Sequence, residues 1–259
     1  MTDSTTSRRT RLGMLTPSSN TVLEPYTAAL LHDLLPDVTA HFQRFTVQEI
    51  GLDEAAMNQF ADETIVAAAE VLNHARMDVI AWAGTSGSWR GFDVDAALCD
   101  AITERTGVPA TTSVQAINEI LDRTEPMRVG LVTPYLDEVQ AKITSNYAAI
   151  GHPIHAERHL QDRGNFSFSD YSDEVVADLV REVVTDGADA VVVLCTNFRG
   201  ARCTPQLETE TGVPVYDSVS ATVWKCLSMA GIDPIVITGW GRLFDDARLT
   251  GISLRNVGT

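Results

Sequence analysis

Three blocks of sequence occur twice in this chain, in the same order and at similar spacing. RLGMLTPSSN (residues 11–20) pairs with RVGLVTPYLD (128–137), and DVIAWAGTS (78–86) pairs with DAVVVLCTN (189–197). TGVPATTSVQA (106–116) then pairs with TGVPVYDSVSA (211–221). The repeated unit is roughly a hundred residues long, well beyond the period of a solenoid. A duplication of that size constrains the chain to two similar lobes.

The second copy shows what kind of lobe. Residues 190–194 are an unbroken apolar run, β-branched for three residues and short for a helix. That pattern suits a parallel strand buried on both faces. Strands are expected at 12–15, 41–47, 77–83 and 108–112, then at 129–133, 190–194 and 213–216. Helices are expected from 21 onward, at 53–74, 94–105, 113–121, 137–150, 173–185 and 218–229. The expected fold is α/β: two pseudosymmetric Rossmann-like lobes with mostly parallel sheets. Residues 11–124 plus 218–259 would form the N-terminal lobe and 125–217 the C-terminal lobe. In open α/β sheets ligands bind outside the carboxyl ends of strands. Facing lobes put both sets of strand ends on one central cleft, and the active site is expected there.

The candidate chemistry lies at those strand ends. Without a gap, Gly84 falls on Cys195, Thr85 on Thr196 and Ser86 on Asn197. Cys195 is either a small residue closing a strand, since free cysteine is often buried, or the reactive group of the cleft. A helix beginning just after it would favour the thiolate. The loop 84–88 (GTSGS) offers several donors to a carboxylate, the physics of an oxyanion hole, although the same composition makes ordinary turns. Asn20 is either a plain helix cap or a cap that leaves strand-end N–H groups open to an anion. The polar stretch 161–172 is long enough to be a lid.

Other classes are excluded by what the chain lacks. With 259 residues, 44% hydrophobic and 21% charged, it can bury a sizeable core. A formal charge of −16 argues against nucleic acid or an anionic membrane as partner. No apolar run approaches the ~20 residues of a membrane helix. The segment MTDSTTSRRTR has no signal-peptide core, and a reducing cytoplasm is expected. Cys99, Cys195, Cys203 and Cys226 show no metal-pair spacing and are expected as free thiols, and all but Cys195 read as structural. His152, His155 and His159 share one segment without a carboxylate at a diagnostic spacing. No dinucleotide fingerprint, phosphate loop or Ser-His-Asp order is present, so neither metal nor cofactor is expected.

Over residues 11–245 the pattern resembles the aspartate/glutamate racemase superfamily. That resemblance implies two lobes around a carboxylate-binding cleft, with a cysteine after the third strand of each lobe in racemases. Here the second is present in LCTN, but Gly84 stands in place of the first, which speaks against a two-cysteine racemase. TPSSNTVLEP (16–25) is similar to maleate cis-trans isomerases, and implies that Asn20 holds a substrate carboxylate, with Asn165 as a second such asparagine. Those enzymes attack with the first-lobe cysteine, which Gly84 cannot replace. GTSGSWRG (84–91), Tyr135, Cys195 and GRLFD (241–245) resemble arylmalonate decarboxylase. There the implied roles are Thr85, Ser86 and Tyr135 binding one carboxylate, and Cys195 protonating the enediolate left when the other departs as carbon dioxide. Thr196 and Asn197 replace two glycines of that family, and with Asn20 they imply a more polar cleft.

The substrate expected is thus a small carboxylic acid. Three activities are open: a cofactor-independent decarboxylase of a malonate-like or small dicarboxylic acid, an isomerase using one cysteine, and a carboxylate-binding protein. A homo-oligomer is compatible with all three. Arg90 and Arg199, each followed by glycine, either bind a carboxylate or pair with acidic neighbours. Gly84→Cys is expected to add a second thiol and with it racemisation.

Overall fold

Each copy of the repeat builds the same sheet. The structure is a computed structural model that describes residues 9–251. The first copy runs β1 (Thr10–Pro17), α1 (Leu23–Leu30), β2 (Val38–Phe45), α2 (Glu54–Asn58), α3 (Asp62–Asn73), β3 (Val79–Trp82), α4 (Gly87–Arg90), α5 (Phe92–Thr106), β4 (Ala110–Thr112) and α6 (Ser113–Thr124). The second runs β5 (Val129–Thr133), α7 (Asp137–Ala149), β6 (Ile154–His159), α8 (Asp173–Thr185), β7 (Ala190–Val193), α9 (Gly200–Thr211), β8 (Val215–Asp217) and α10 (Ser218–Met229). The two four-stranded sheets have orders β2-β1-β3-β4 and β6-β5-β7-β8, and every pairing is parallel.

The duplicated residues are those that hold each lobe together. The Arg11 N–H donates to Asp78 at 2.8 Å, and the Arg128 N–H to Asp189 at 2.9 Å, bracing the starts of paired strands. Gly13 and Gly130 sit where a Cβ would come within 2.9 Å of Leu72 and Ala188 respectively, so a side chain there would push the covering layer off the sheet. Gly107 and Gly212 end α5 and α9 at φ of 70° and 75°, which explains why TGVP recurs as a helix stop before a strand. Thr112 and Asp217 then cap α6 and α10 through side-chain oxygens. These two helices pack on one another, with Ser113 and Thr222 hydroxyls 2.7 Å apart.

α10 lies against α6, α1 and β3, and so against elements of the first copy. After it the chain straps both copies: Arg248 donates to the Thr124 carbonyl of α6 in the first copy at 2.8 Å, and two further bonds go to the second. Trp224 donates to the Leu249 carbonyl at 2.9 Å, and Glu208 of α9 accepts from the Arg242 N–H at 2.7 Å. The expectation for residues 252–259 lies outside the described residues.

Two local expectations need correction. The helix expected over 53–74 is two helices, because the Gln59 side chain turns back to bond the Gln48 N–H and the Glu49 and Ala56 carbonyls, and Ala61 is extended at ψ 127°. α4 was not foreseen: a single turn follows the GTS loop directly. Among the described residues no helix is long and apolar enough to cross a membrane.

Asp95 of α5 is a buried carboxyl that accepts from Thr112, and burial pushes its pKa from the usual 3.8 up to about 7. Folding therefore binds a proton between roughly pH 4 and 7. Stability from this group is fully present below pH 4, falls as pH rises toward 7, and is flat above. Asp217 is pushed the same way, also to about 7 by burial. Asp246, held low by its Arg248 hydrogen bonds, acts in the opposite sense at more acid pH. Asp95→Asn keeps an acceptor for Thr112 and should lose less melting temperature between pH 5 and 8 than the parent chain. Parallel melting curves in that range check this.

Candidate active site

Asn20, Gly84, Thr85, Ser86, Tyr135, Asn165, Cys195, Thr196 and Asn197 all lie where the lobes meet, and all are buried. Each except Asn165 follows the carboxyl end of β1, β3, β5 or β7; Asn165 comes from the lid stretch. They fall into two groups.

The first group surrounds the thiol. The Thr85 and Tyr135 hydroxyls are 2.6 Å apart and join the lobes. Cys195 lies beside Tyr135 and the Asn197 N–H, close enough for both to act on its thiol. Two hydroxyls carry two protons; one spans the pair, and the other is free for the sulfur or a bound oxyanion. Ser86 Oγ accepts from the Trp82 indole N–H at 3.2 Å, which leaves its own proton for another acceptor. Ser88 donates to the Thr85 carbonyl at 2.7 Å and fixes the loop.

Burial pushes the Cys195 pKa up to about 12, against the pull of the Tyr135 and Asn197 hydrogen bonds. The charge of Asp217 raises it further. Any pull of the following helix toward the thiolate is outweighed by desolvation, and the resting group is a neutral thiol, the form a proton donor needs. Tyr135, wholly buried, is also raised well above its ordinary value and stays a hydroxyl.

The second group is a chain of side-chain amides. Asn20 Oδ1 accepts from the Val22 and Leu23 N–H groups, both at 2.9 Å, and its amide donates to Thr196 at 3.2 Å. Asn197 Oδ1 takes the Thr21 N–H at 2.9 Å, and its amide donates to the Asn165 carbonyl at 2.5 Å. Asn165 donates to Ser19 at 2.9 Å, and Thr196 to the Ala83 carbonyl at 3.0 Å. The strand-end N–H groups expected to await an anion are thus occupied by Asn20 and Asn197. The added polarity of Thr196 and Asn197 is spent on joining the lobes.

Neither arginine joins these groups. Arg90 pairs with Asp62 at 3.3 Å, and the partly exposed Arg199 lies 3.9 Å from Asp173. The three histidines do not converge either. His152 meets Asp122 at 2.7 Å, His155 the Asp186 carbonyl at 3.2 Å, and His159 Asp137 at 2.6 Å. Among the described residues no cluster of His, Cys, Asp and Glu is placed to share a metal ion.

The stretch 161–172 closes over the site against the first lobe. Glu49 and Gly164 form an antiparallel bridge; the Ile50 N–H donates to the Arg163 carbonyl at 2.9 Å and the Asn165 N–H to the Gln48 carbonyl at 3.2 Å. Arg163 clasps Glu49 at 3.1 Å and Asp53 at 2.5 Å. Beyond the clasp, Phe168 is buried with its ring centroid 5.6 Å from that of Tyr135. A surface cavity of about 680 Å³ lies at the crossing, lined by Gln48, Glu49, Gln59, Arg163 and Gly164 among others. Because the Arg163 pairs are solvent-exposed, Arg163→Ala should cost little stability. It should nevertheless speed hydrogen exchange at the Ile50 and Asn165 amides, which exchange mass spectrometry reads directly.

One residue at the site escaped the sequence analysis. Trp82 ends β3 two positions before Gly84, and its indole lies where a Cβ of residue 84 would be. The period of two along a strand was the available signal.

A family model described as arylmalonate decarboxylase matches residues 12–244. The arylmalonate decarboxylase of Bordetella bronchiseptica is 30% identical over 240 residues, covering 91% of this chain and 97% of that protein. The maleate isomerase of Pseudomonas putida is 25% identical over 249 residues, covering 92% and 98%. Among solved structures, a cysteine-to-serine variant of the Nocardia farcinica maleate cis-trans isomerase, with a covalently bound succinylcysteine intermediate, superposes with a TM-score of 0.80. The identity there is 24%, over 91% of this chain and 98% of that one.

Proposed function

The chain belongs to the arylmalonate decarboxylase family, and from that membership we propose that it is a cofactor-independent decarboxylase of a malonate-like or other small dicarboxylic acid. The observation that carries this choice is that the site holds one thiol, Cys195, kept neutral by burial beside the Thr85–Tyr135 hydroxyl pair, while Gly84 stands in the matching position of the other lobe. A neutral thiol is a proton donor; attack on a double bond needs the thiolate.

In the proposed reaction Thr85, Ser86 and Tyr135 hold the carboxylate that is retained. The bond from the α carbon to the other carboxylate breaks, carbon dioxide leaves, and the electron pair moves into an enediolate. Hydrogen bonds from the same hydroxyls stabilise the new charge, each preorganised donor contributing roughly 3–4 kcal/mol, not additively. Cys195 then gives its proton to the α carbon and is left as thiolate, which takes a proton from water once the product departs. Approach from one face gives one stereochemical outcome. Asn20, Asn165, Thr196 and Asn197 hold the lobes and the 161–172 stretch in register around this centre, and the Asn20 and Asn197 amides each keep a second N–H for a substrate oxygen.

The isomerase reading is favoured by a different observation, the asparagine cluster at Asn20 and Asn165 in a chain similar to maleate isomerase. Proton NMR in heavy water with methylmalonate, phenylmalonate, maleate, aspartate and glutamate separates the two. Loss of a malonate with one deuterium at the product α carbon supports the decarboxylase. Maleate turning to fumarate, with the malonates untouched, overturns it in favour of the isomerase.

A further inference from the structure

A cleft with glycine opposite its thiol should be open on that side. It is not. An ideal Cβ on Gly84 would overlap Cζ2, Cη2 and Cε2 of Trp82. The indole is fully buried and cannot drift from this position cheaply. Its N–H is tied to Ser86 Oγ at 3.2 Å, and its ring packs on Phe45 at 5.0 Å and Phe60 at 6.4 Å between centroids. Phe60 in turn touches Trp89 at 5.9 Å, and Trp89 touches Tyr135 at 5.2 Å. Behind Gly84 there is thus one aromatic stack running from the end of β2 to the site tyrosine, with Trp82 as the member against Gly84.

We propose that Trp82 is the specificity-determining residue of this cleft: its indole fills the space beside Gly84 and restricts the substrate to dicarboxylic acids with a small α substituent, hydrogen or methyl, excluding an aryl ring. The inference rests on the decarboxylase reading for its substrate class. Its physical basis is separate, since a close-packed wall held by a hydrogen bond and two ring contacts does not yield the volume of a phenyl group. Trp82 also accounts for Gly84 itself. No side chain at 84 fits while the indole stays, so Gly84→Cys alone does not install a facing thiol, and the racemisation expected from the sequence requires Trp82 to be reduced as well.

The test separates binding from chemistry. Methylmalonate and phenylmalonate are titrated calorimetrically into Cys195→Ala and into Trp82→Leu/Cys195→Ala, and carbon dioxide release is measured for the parent chain and Trp82→Leu. We expect Cys195→Ala to bind methylmalonate at least tenfold more tightly than phenylmalonate, and Trp82→Leu to close that gap by at least tenfold. Equal binding of both acids to Cys195→Ala overturns the assignment of Trp82, whatever turnover shows. Discrimination at binding without carbon dioxide from either acid leaves Trp82 as the size filter and overturns the decarboxylase. Failure of both proteins to bind either acid overturns both. Should Trp82→Leu not fold, Trp82→Phe takes its place. A ligand-free check is a melting-temperature cycle. Gly84→Cys should lower the melting temperature, and the loss should shrink in a Trp82→Leu background. An unchanged melting temperature for Gly84→Cys alone counts against the proposal.

Discussion

Replacing Cys195 with alanine is expected to lower turnover by roughly 10³-fold or more while leaving the fold intact. A positioned general acid contributes on the order of 10²–10⁴-fold, and this thiol is the proposed proton source for the α carbon. The structural cost is smaller. Cys195 is 3% exposed, so alanine leaves a cavity of one sulfur atom and removes a partner from the Tyr135 hydroxyl. A loss of about 1–2 kcal/mol covers both effects. Circular dichroism and a melting curve establish the fold, and carbon dioxide release measures the chemistry. Cys195→Ser separates geometry from acidity, since the hydroxyl keeps the shape but is a far weaker acid. Full activity in Cys195→Ser would remove the thiol from the mechanism.

Tyr135→Phe is the second large effect. This hydroxyl is hydrogen-bonded with Thr85 and lies beside Cys195, so in the proposed reaction it ties the anion-stabilising group to the acid. Its loss should lower kcat by roughly 10²–10³-fold, the cost of one oxyanion donor. KM should change much less, because Thr85 and Ser86 remain to bind the ground-state carboxylate. The aromatic contacts with Trp89 and Phe168 survive the substitution, so stability should fall only slightly. The observation that would sink this role is a rise in KM with kcat unchanged, which is the signature of uniform binding.

Much of the fold was legible because the duplicated residues are the ones that build it. Arg11 and Arg128, Gly13 and Gly130, and Gly107 and Gly212 each perform one local task twice. A local task leaves a mark in sequence. The strand ends were legible for the same reason: a one-to-one register between Gly84 and Cys195 follows once both runs are strands. What escaped depends on distant partners. The split between α2 and α3 comes from Gln59 folding back on residues 48 and 49, across a loop. Asn197 looks like a substrate ligand in sequence, yet its acceptor is filled by the Thr21 N–H from the other lobe. Trp82 stands two positions before Gly84, but Phe45 and Phe60, remote in sequence, decide where the ring lies.

The closed seam between the lobes has a consequence for isotopes. In the proposed reaction Cys195 gives up its proton once per cycle, from a side chain that is only 3% exposed to solvent. The label delivered is therefore whatever the sulfur carried when the substrate was enclosed. Sulfur–hydrogen bonds discriminate against deuterium, so in an equal mixture of light and heavy water the product should carry less deuterium than the solvent. That deficit should be indifferent to buffer concentration, because no buffer acid reaches the carbanion. Isotope content of the product thus records which atom held the proton and whether the site was shut when it moved.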